Sequence, residues 1–178
     1  MSIVNTLSLE SNRQIKINFD GGDLSSDAGL LLIKEFVSKI GIDRLFSHSF
    51  KTNDSASFRY HTDKDNLLQM IYMIIAGYFE DDASDELTND PVFKAVLDKE
   101  ALASQPTISR FHNRLDEDSL NQFLSISRIL RKEIYSIQMP ESVILDLDST
   151  LLDAYGRQEG RAFNFHYQSN GYHPLVCY

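Results

Sequence analysis

The sequence predicts an α+β chain in which a helical region precedes a short run of strands, and three observations carry that expectation. Apolar residues recur at helical offsets between about residues 22 and 138, and strand-like runs take over after Pro140. A composition 42% hydrophobic and 24% charged can fill a core. At 178 residues the chain fits one ordinary domain, or a small domain with part of another.

In chain order, Ile15, Ile17 and Phe19 alternate with Lys16 and Asn18, which predicts a short half-buried strand in an N-terminal arm over residues 1–21, ended by Gly21-Gly22. "SSDAGLLLIKEFVSKIG" predicts a helix: Ser25, Ser26 or Asp27 can cap its free amides and Gly41 suits its C-terminal position. Leu30, Ile33, Val37 and Ile40 form its core stripe. Residues 47–62 carry neither period and read as a loop. A second helix is expected over about residues 63–79. Its run "LLQMIYMIIA" is too short for a membrane span, which needs roughly 20 apolar residues.

"ASDELTN" and "DPVFKAVL" predict two short helices, the second with Asp90 as cap and Pro91 at the first helical position, where a missing amide costs nothing. "SQPTISRFHNRL" repeats that design, with Ile108, Phe111 and Leu115 inward. A longer helix follows, with Leu120, Phe123, Leu124, Leu130 and Ile134 expected on the buried side. The helical region is thus drawn as residues 22–138 and the strands as 139–178. Val143, Ile144, Leu145 and Leu147 predict one strand, residues 151–155 a second and "YHPLVCY" another.

Composition excludes several classes of function. Lys+Arg 17 against Asp+Glu 26 leaves a net charge of −9, which disfavours whole-surface adhesion to nucleic acid or an anionic membrane but leaves room for a local basic face. The lone cysteine, Cys177, excludes a disulfide scaffold and a thiolate zinc cluster and points to a reducing compartment. The first residues lack the basic-then-apolar pattern of a targeting segment. There is no G-x-G-x-x-G or G-x-x-x-x-G-K-[ST], and His61, His112, His166 and His173 lack metal-ligand spacing.

Two sets of polar residues remain. Asp148 follows an apolar run, where a strand end presents a rigid ligand, and Asp146 shares its side-chain parity. Two carboxylates so spaced can hold a divalent ion, or simply solvate a sheet face. Thr107, Arg110 and Arg114 lie at offsets of three and seven on the polar side of their helix, with the short helix at Asp90–Leu97 ahead of it. That is the layout of a helix-turn-helix reader of the major groove, and equally that of an ordinary wet helix face.

The succession "FDGGDLSSDAGLLLIKEF", "LLQMIYMIIAGYFEDDASDELTNDPVFK", "LASQPTISRFHNRLD", "VILDLDSTLLDAYGRQEG" and "NGYHPLVCY" resembles the insertion-sequence transposases of the DDE class, DDE group 1 branch, from about residue 19 onward. The resemblance implies an RNase H-like mixed sheet, here only its truncated start. It also implies metal-dependent DNA strand cleavage and transfer by two aspartates and a glutamate holding two ions, expected to be Mg²⁺. Asp148-Ser149-Thr150 matches the family's D-x-T context, so Asp148 is the catalytic and metal-ligating residue carried over, with Asp146 beside it. No residue after Asp148 matches the second aspartate or the glutamate, so an incomplete site is expected. Thr107, Arg110 and Arg114 become the expected DNA contacts. The implied partners are the transposon terminal repeats and a second copy or full-length transposase, without a membrane. The implied location is the bacterial cytoplasm at the nucleoid. The alternative is a catalytically inactive remnant that binds transposon ends or regulates the complete enzyme.

Overall fold

The computed structural model describes residues 6–19, 21 and 25–177. The chain is α+β, with β1 (Thr6–Ser8), β2 (Lys16–Asn18), α1 (Leu30–Ile40), α2 (Ile42–Ser49), α3 (Asp63–Ala76), α4 (Ala83–Leu87), α5 (Pro91–Leu97), α6 (Gln105–His112), α7 (Glu117–Ile137), β3 (Leu147–Ser149), β4 (Leu152–Asp153), β5 (Ala162–Asn164), β6 (Ser169–Tyr172) and β7 (Leu175–Cys177). It divides into two compact units after Ile134, inside α7.

In the helical unit, β1 and β2 pair antiparallel, Leu7 opposite Ile17, and Leu9, Ile15 and Ile17 pack onto the helical core. Part of the first motif, Asp20 and residues 22–24, lies outside the described residues. α1 starts later than expected, and none of Ser25, Ser26 and Asp27 caps it. Its first amides are met by backbone bonds from a preceding turn, Leu30 N–H to the Asp27 carbonyl at 2.9 Å. The Asp27 carboxylate accepts instead from the Tyr78 hydroxyl at 3.1 Å. Gly41, at φ +74°, closes α1 in the left-handed region and opens α2, a helix that extends to Ser49, inside the segment expected to be a loop.

α3 is held at its start by a capping box, the Thr62 hydroxyl accepting from Asp65 N–H and the Asp65 carboxylate from Thr62 N–H. Gln69, the polar break in its apolar run, has a structural use. Its amide donates to the Ala103 carbonyl and accepts from Ala103 N–H, both at 2.8 Å, which pins the chain just ahead of α6 against α3. Asp90 caps α5 as anticipated, accepting from Val92 and Phe93 amides at 2.9 Å. On α7 the buried face differs from the expected one. Ile126 is buried and Phe123 and Leu130 pack on the core, whereas Leu120, Leu124 and Ile134 are exposed. The stacking of Phe123 on Phe50, 4.6 Å between centroids, sets this rotation.

In the strand unit every described pairing is antiparallel, so the mixed sheet expected from the resemblance is represented only by antiparallel ladders. β3 pairs with β7, and β6 lies between β4 and β5. Residues 143–146 are not strand, contrary to the sequence expectation, and Ile144 stands 87% exposed. Among the described residues the ladder on β7 covers only Leu147 to Ser149. Gly171, in the middle strand, faces Asp153 on one side and Ala162 on the other.

Candidate functional site

The segment between α2 and α3 is irregular but latched at several points. Phe50 is buried against Phe111 and Phe123. The Gln122 side chain brackets Lys51, accepting from its N–H at 2.7 Å and donating to its carbonyl at 3.1 Å. Thr52 donates to Asp63 through both N–H and hydroxyl, at 2.8 and 2.9 Å. Lys99 donates to the Tyr60 carbonyl at 2.9 Å, lies 4.9 Å from that ring's centroid and pairs with Asp65 at 2.8 Å. These latches present Phe58, Arg59, Tyr60 and His61 toward α6.

A cavity of about 270 Å³ lies there, lined by that tetrapeptide, by Asn66 of α3 and by Thr107, Arg110 and Arg114. The three expected DNA contacts are therefore brought together, in three different states. Thr107 is half-buried, its hydroxyl 3.1 Å from that of Ser104. Arg110 is exposed, and its guanidinium has no anionic partner among the described residues. Arg114 lies past the end of α6 and is committed within the fold. It pairs with Asp63 at 3.3 Å and Asp54 at 3.5 Å, and donates to the Thr52 hydroxyl at 3.2 Å and the Arg110 carbonyl at 3.1 Å. α6 packs against α3 and α4, while the principal neighbours of α5 are α1 and α3.

Charge in the cavity is partly neutralised. Arg59 is ion-paired and hydrogen-bonded to Asp54, which holds that carboxyl well below the usual range with help from the Ala56 amide. Burial, with Lys99 nearby, lowers the His61 imidazole below its ordinary value. Asn66 is fully buried, and both polar atoms of its amide lack a hydrogen-bond partner. Phe58, Arg59, Tyr60 and Asn66 were missed by sequence reasoning. Their available signal was "FRYH", aromatic and basic residues interleaved in an acidic chain.

The second location is β3. Asp148 is exposed, opposite Val176 of β7, and its carboxylate accepts from Ser149 N–H at 2.8 Å. Asp146 is exposed just ahead of the strand, outside the ladder that would fix its parity with Asp148. Thr150 N–H donates to the Pro174 carbonyl at 3.1 Å, and the Tyr167 hydroxyl to the Ser149 carbonyl at 3.2 Å. Tyr167 stacks on His173 with centroids 5.6 Å apart. These bonds tie Ser149 and Thr150 to Tyr167 and Pro174. Among the described residues no group of three or more His, Cys, Asp or Glu side chains converges to hold a metal. Asp148 supplies one carboxylate, so the described donor set does not fit a two-ion centre.

The family model for the transposase DDE domain group 1 matches residues 7–178. No curated protein and no solved structure matches the chain. The family implies DNA as partner and divalent metal in its chemistry. No helix among the described residues is long and apolar enough to cross a membrane. With a match over nearly its whole length, the chain belongs to the DDE group 1 transposases.

Proposed function

We propose that this chain serves DNA strand cleavage and transfer in the transposition of an insertion sequence. Its helical unit engages the element's terminal repeats through Thr107 and Arg110, while Arg114, the third expected contact, supports them from its ion pairs with Asp54 and Asp63. Asp148 is one carboxylate of an RNase H-like, Mg²⁺-dependent centre, with Asp146 as its neighbour. The observation that carries the reading is the family match along residues 7–178, within which Asp148 and Ser149 lie in β3 and Thr150 follows it. The reaction is carried out at the DNA, which locates the protein at the nucleoid in the cytoplasm.

A second reading, a DNA-binding or regulatory chain without catalysis of its own, is favoured by one observation. Among the described residues no group of three or more metal-ligating side chains forms around Asp148. Titration against terminal-repeat and scrambled duplexes at two salt concentrations tests the shared DNA-binding element. Selective binding that weakens with salt supports it, and no binding at low salt overturns it. A nicking assay with Mg²⁺ or Mn²⁺ separates the two readings. Cleavage lost in Asp148→Ala supports the first, and selective binding without cleavage supports the second.

A further inference from the structure

We infer that the cavity between Phe58–His61 and α6 receives a single unstacked nucleobase of DNA, with Arg110 on the adjoining phosphate. The inference deepens the proposed DNA binding by this unit and rests on it.

Three features of the cavity select that ligand. Asn66 carries one amide donor and one carbonyl acceptor, both buried and both without a partner. A buried polar group left unpaired is costly, so a group in this state calls for a ligand that supplies an acceptor and a donor side by side. The edge of a nucleobase does so, and asparagine pairs with such edges in two-bond geometry. Phe58 is 81% exposed and Tyr60 51%, and rings held open to solvent beside a polar floor are stacking platforms for bases. Lys99 holds the Tyr60 backbone through its carbonyl and lies 4.9 Å from the centroid of its ring.

A bare anion fits less well. Arg59 and Arg114 already face Asp54 and Asp63, which leaves Arg110 as the cation of the wall without an anion among the described residues. One cation suits one phosphate, and a phosphate alone would leave the Asn66 carbonyl and the exposed Phe58 ring without a role. The volume, about 270 Å³, lies just under the range of drug-sized sites and suits one base better than a longer stacked segment. The Asn66 amide is sealed from water in this conformation, so a base reaches it only when the side chains that cover it move aside.

The test uses the full chain and two single-stranded DNA oligonucleotides of equal length and charge, one carrying 2-aminopurine and one fully abasic. Binding of the base-bearing strand about tenfold or more tighter than the abasic one is expected, with the fluorescence change of a base entering an aromatic site. Phe58→Ala and Tyr60→Ala, at exposed positions that leave the core intact, should each remove most of that difference. In Asn66→Asp, which loses the donor, the preference among the four bases should change. Equal affinity for the two strands, absence of binding to either, or indifference to Phe58→Ala would overturn the inference. Terminal-repeat duplex is titrated in parallel. Selective duplex binding without base-dependent capture sinks the cavity assignment alone. Base-dependent capture without duplex selectivity sinks the terminal-repeat reading and leaves the cavity standing.

Discussion

The helical unit and the strand unit draw on similar side chains and finish in different states. The helical unit buries Tyr72, Phe93, Ile108 and Phe111 almost completely. In the strand unit, Ala154 is the one buried hydrophobic residue among those described, while Val143, Ile144, Leu145, Leu147, Phe165 and Leu175 stand between 60% and 87% exposed. A helix satisfies its own backbone and needs only one stripe covered, which neighbouring helices from nearby sequence provide. A strand of two to four residues satisfies its backbone only through a partner, and its faces need a further layer to cover them. The contrast shows that apolar composition becomes a core only where the topology brings a second surface to it.

The largest expected effect tests that contrast directly. Phe93, fully buried and edge-on to Tyr78 at 6.0 Å, should lose about 3–5 kcal/mol of helical-unit stability on replacement by Ala. Ile144→Ala should change stability by no more than about 0.5 kcal/mol, in line with an exposed site. Denaturant titrations followed by far-ultraviolet circular dichroism measure both, and equal losses would erase the distinction between the units.

Next comes a backbone position. A Cβ at Gly171 would lie 2.3 Å from the Leu152 carbonyl oxygen and 3.1 Å from Leu151 Cδ1. Gly171→Ala should therefore break the β4–β6 ladder at a cost of about 2 kcal/mol or more. Faster amide exchange in β4, β5 and β6 with unchanged protection in α3 and α6 is the expected pattern. Loss of protection in both units would show that they are energetically one.

A smaller effect is expected within the helical unit. Gln69→Leu leaves the buried Ala103 amide and carbonyl unpaired, which should cost about 1–3 kcal/mol and loosen the entry to α6. Exchange at Ala103 and at the following turn of α6 reads that change separately from global unfolding.

The smallest effect is electrostatic. Burial pushes the Asp65 carboxyl up, but hydrogen bonds from Lys99 and from Thr62 outweigh it and leave it below its ordinary value. A folded-state pKa below the unfolded one means that the stabilisation is complete above about pH 4. It fades as the pH falls through the lowered value. Lys99→Met should flatten that acid limb of the helical-unit stability curve, and an unchanged limb would remove Lys99 from the account.

Much of the helical unit was legible because its signals are local. Pro91 behind Asp90, Gly41 at a left-handed position and the Ile108–Phe111 stripe each act within one or two turns of chain, so they can be read without knowing what lies opposite. The rotation of α7 was not legible, since Phe50, far away in sequence, decides it by stacking on Phe123. Strand length after Pro140 was not legible either: Val143–Leu145 have strand propensity, but among the described residues the ladder on β7 pairs only Leu147 to Ser149.

The same division runs through the site. Sequence alone determined the family, through ordered motifs, and the short helix that carries Thr107 and Arg110, whereas Asp148, expected at a strand end, lies in the middle of β3. Only tertiary structure decided that Arg114 is spent on Asp54 and Asp63, that Lys99 holds Tyr60, and that Asn66 is buried with an unpaired amide beside exposed rings. Which charges are neutralised and which polar atoms stay unsatisfied depends on contacts between residues far apart in the chain, such as Asp54 and Arg114, and those distances are set by packing rather than by any local pattern.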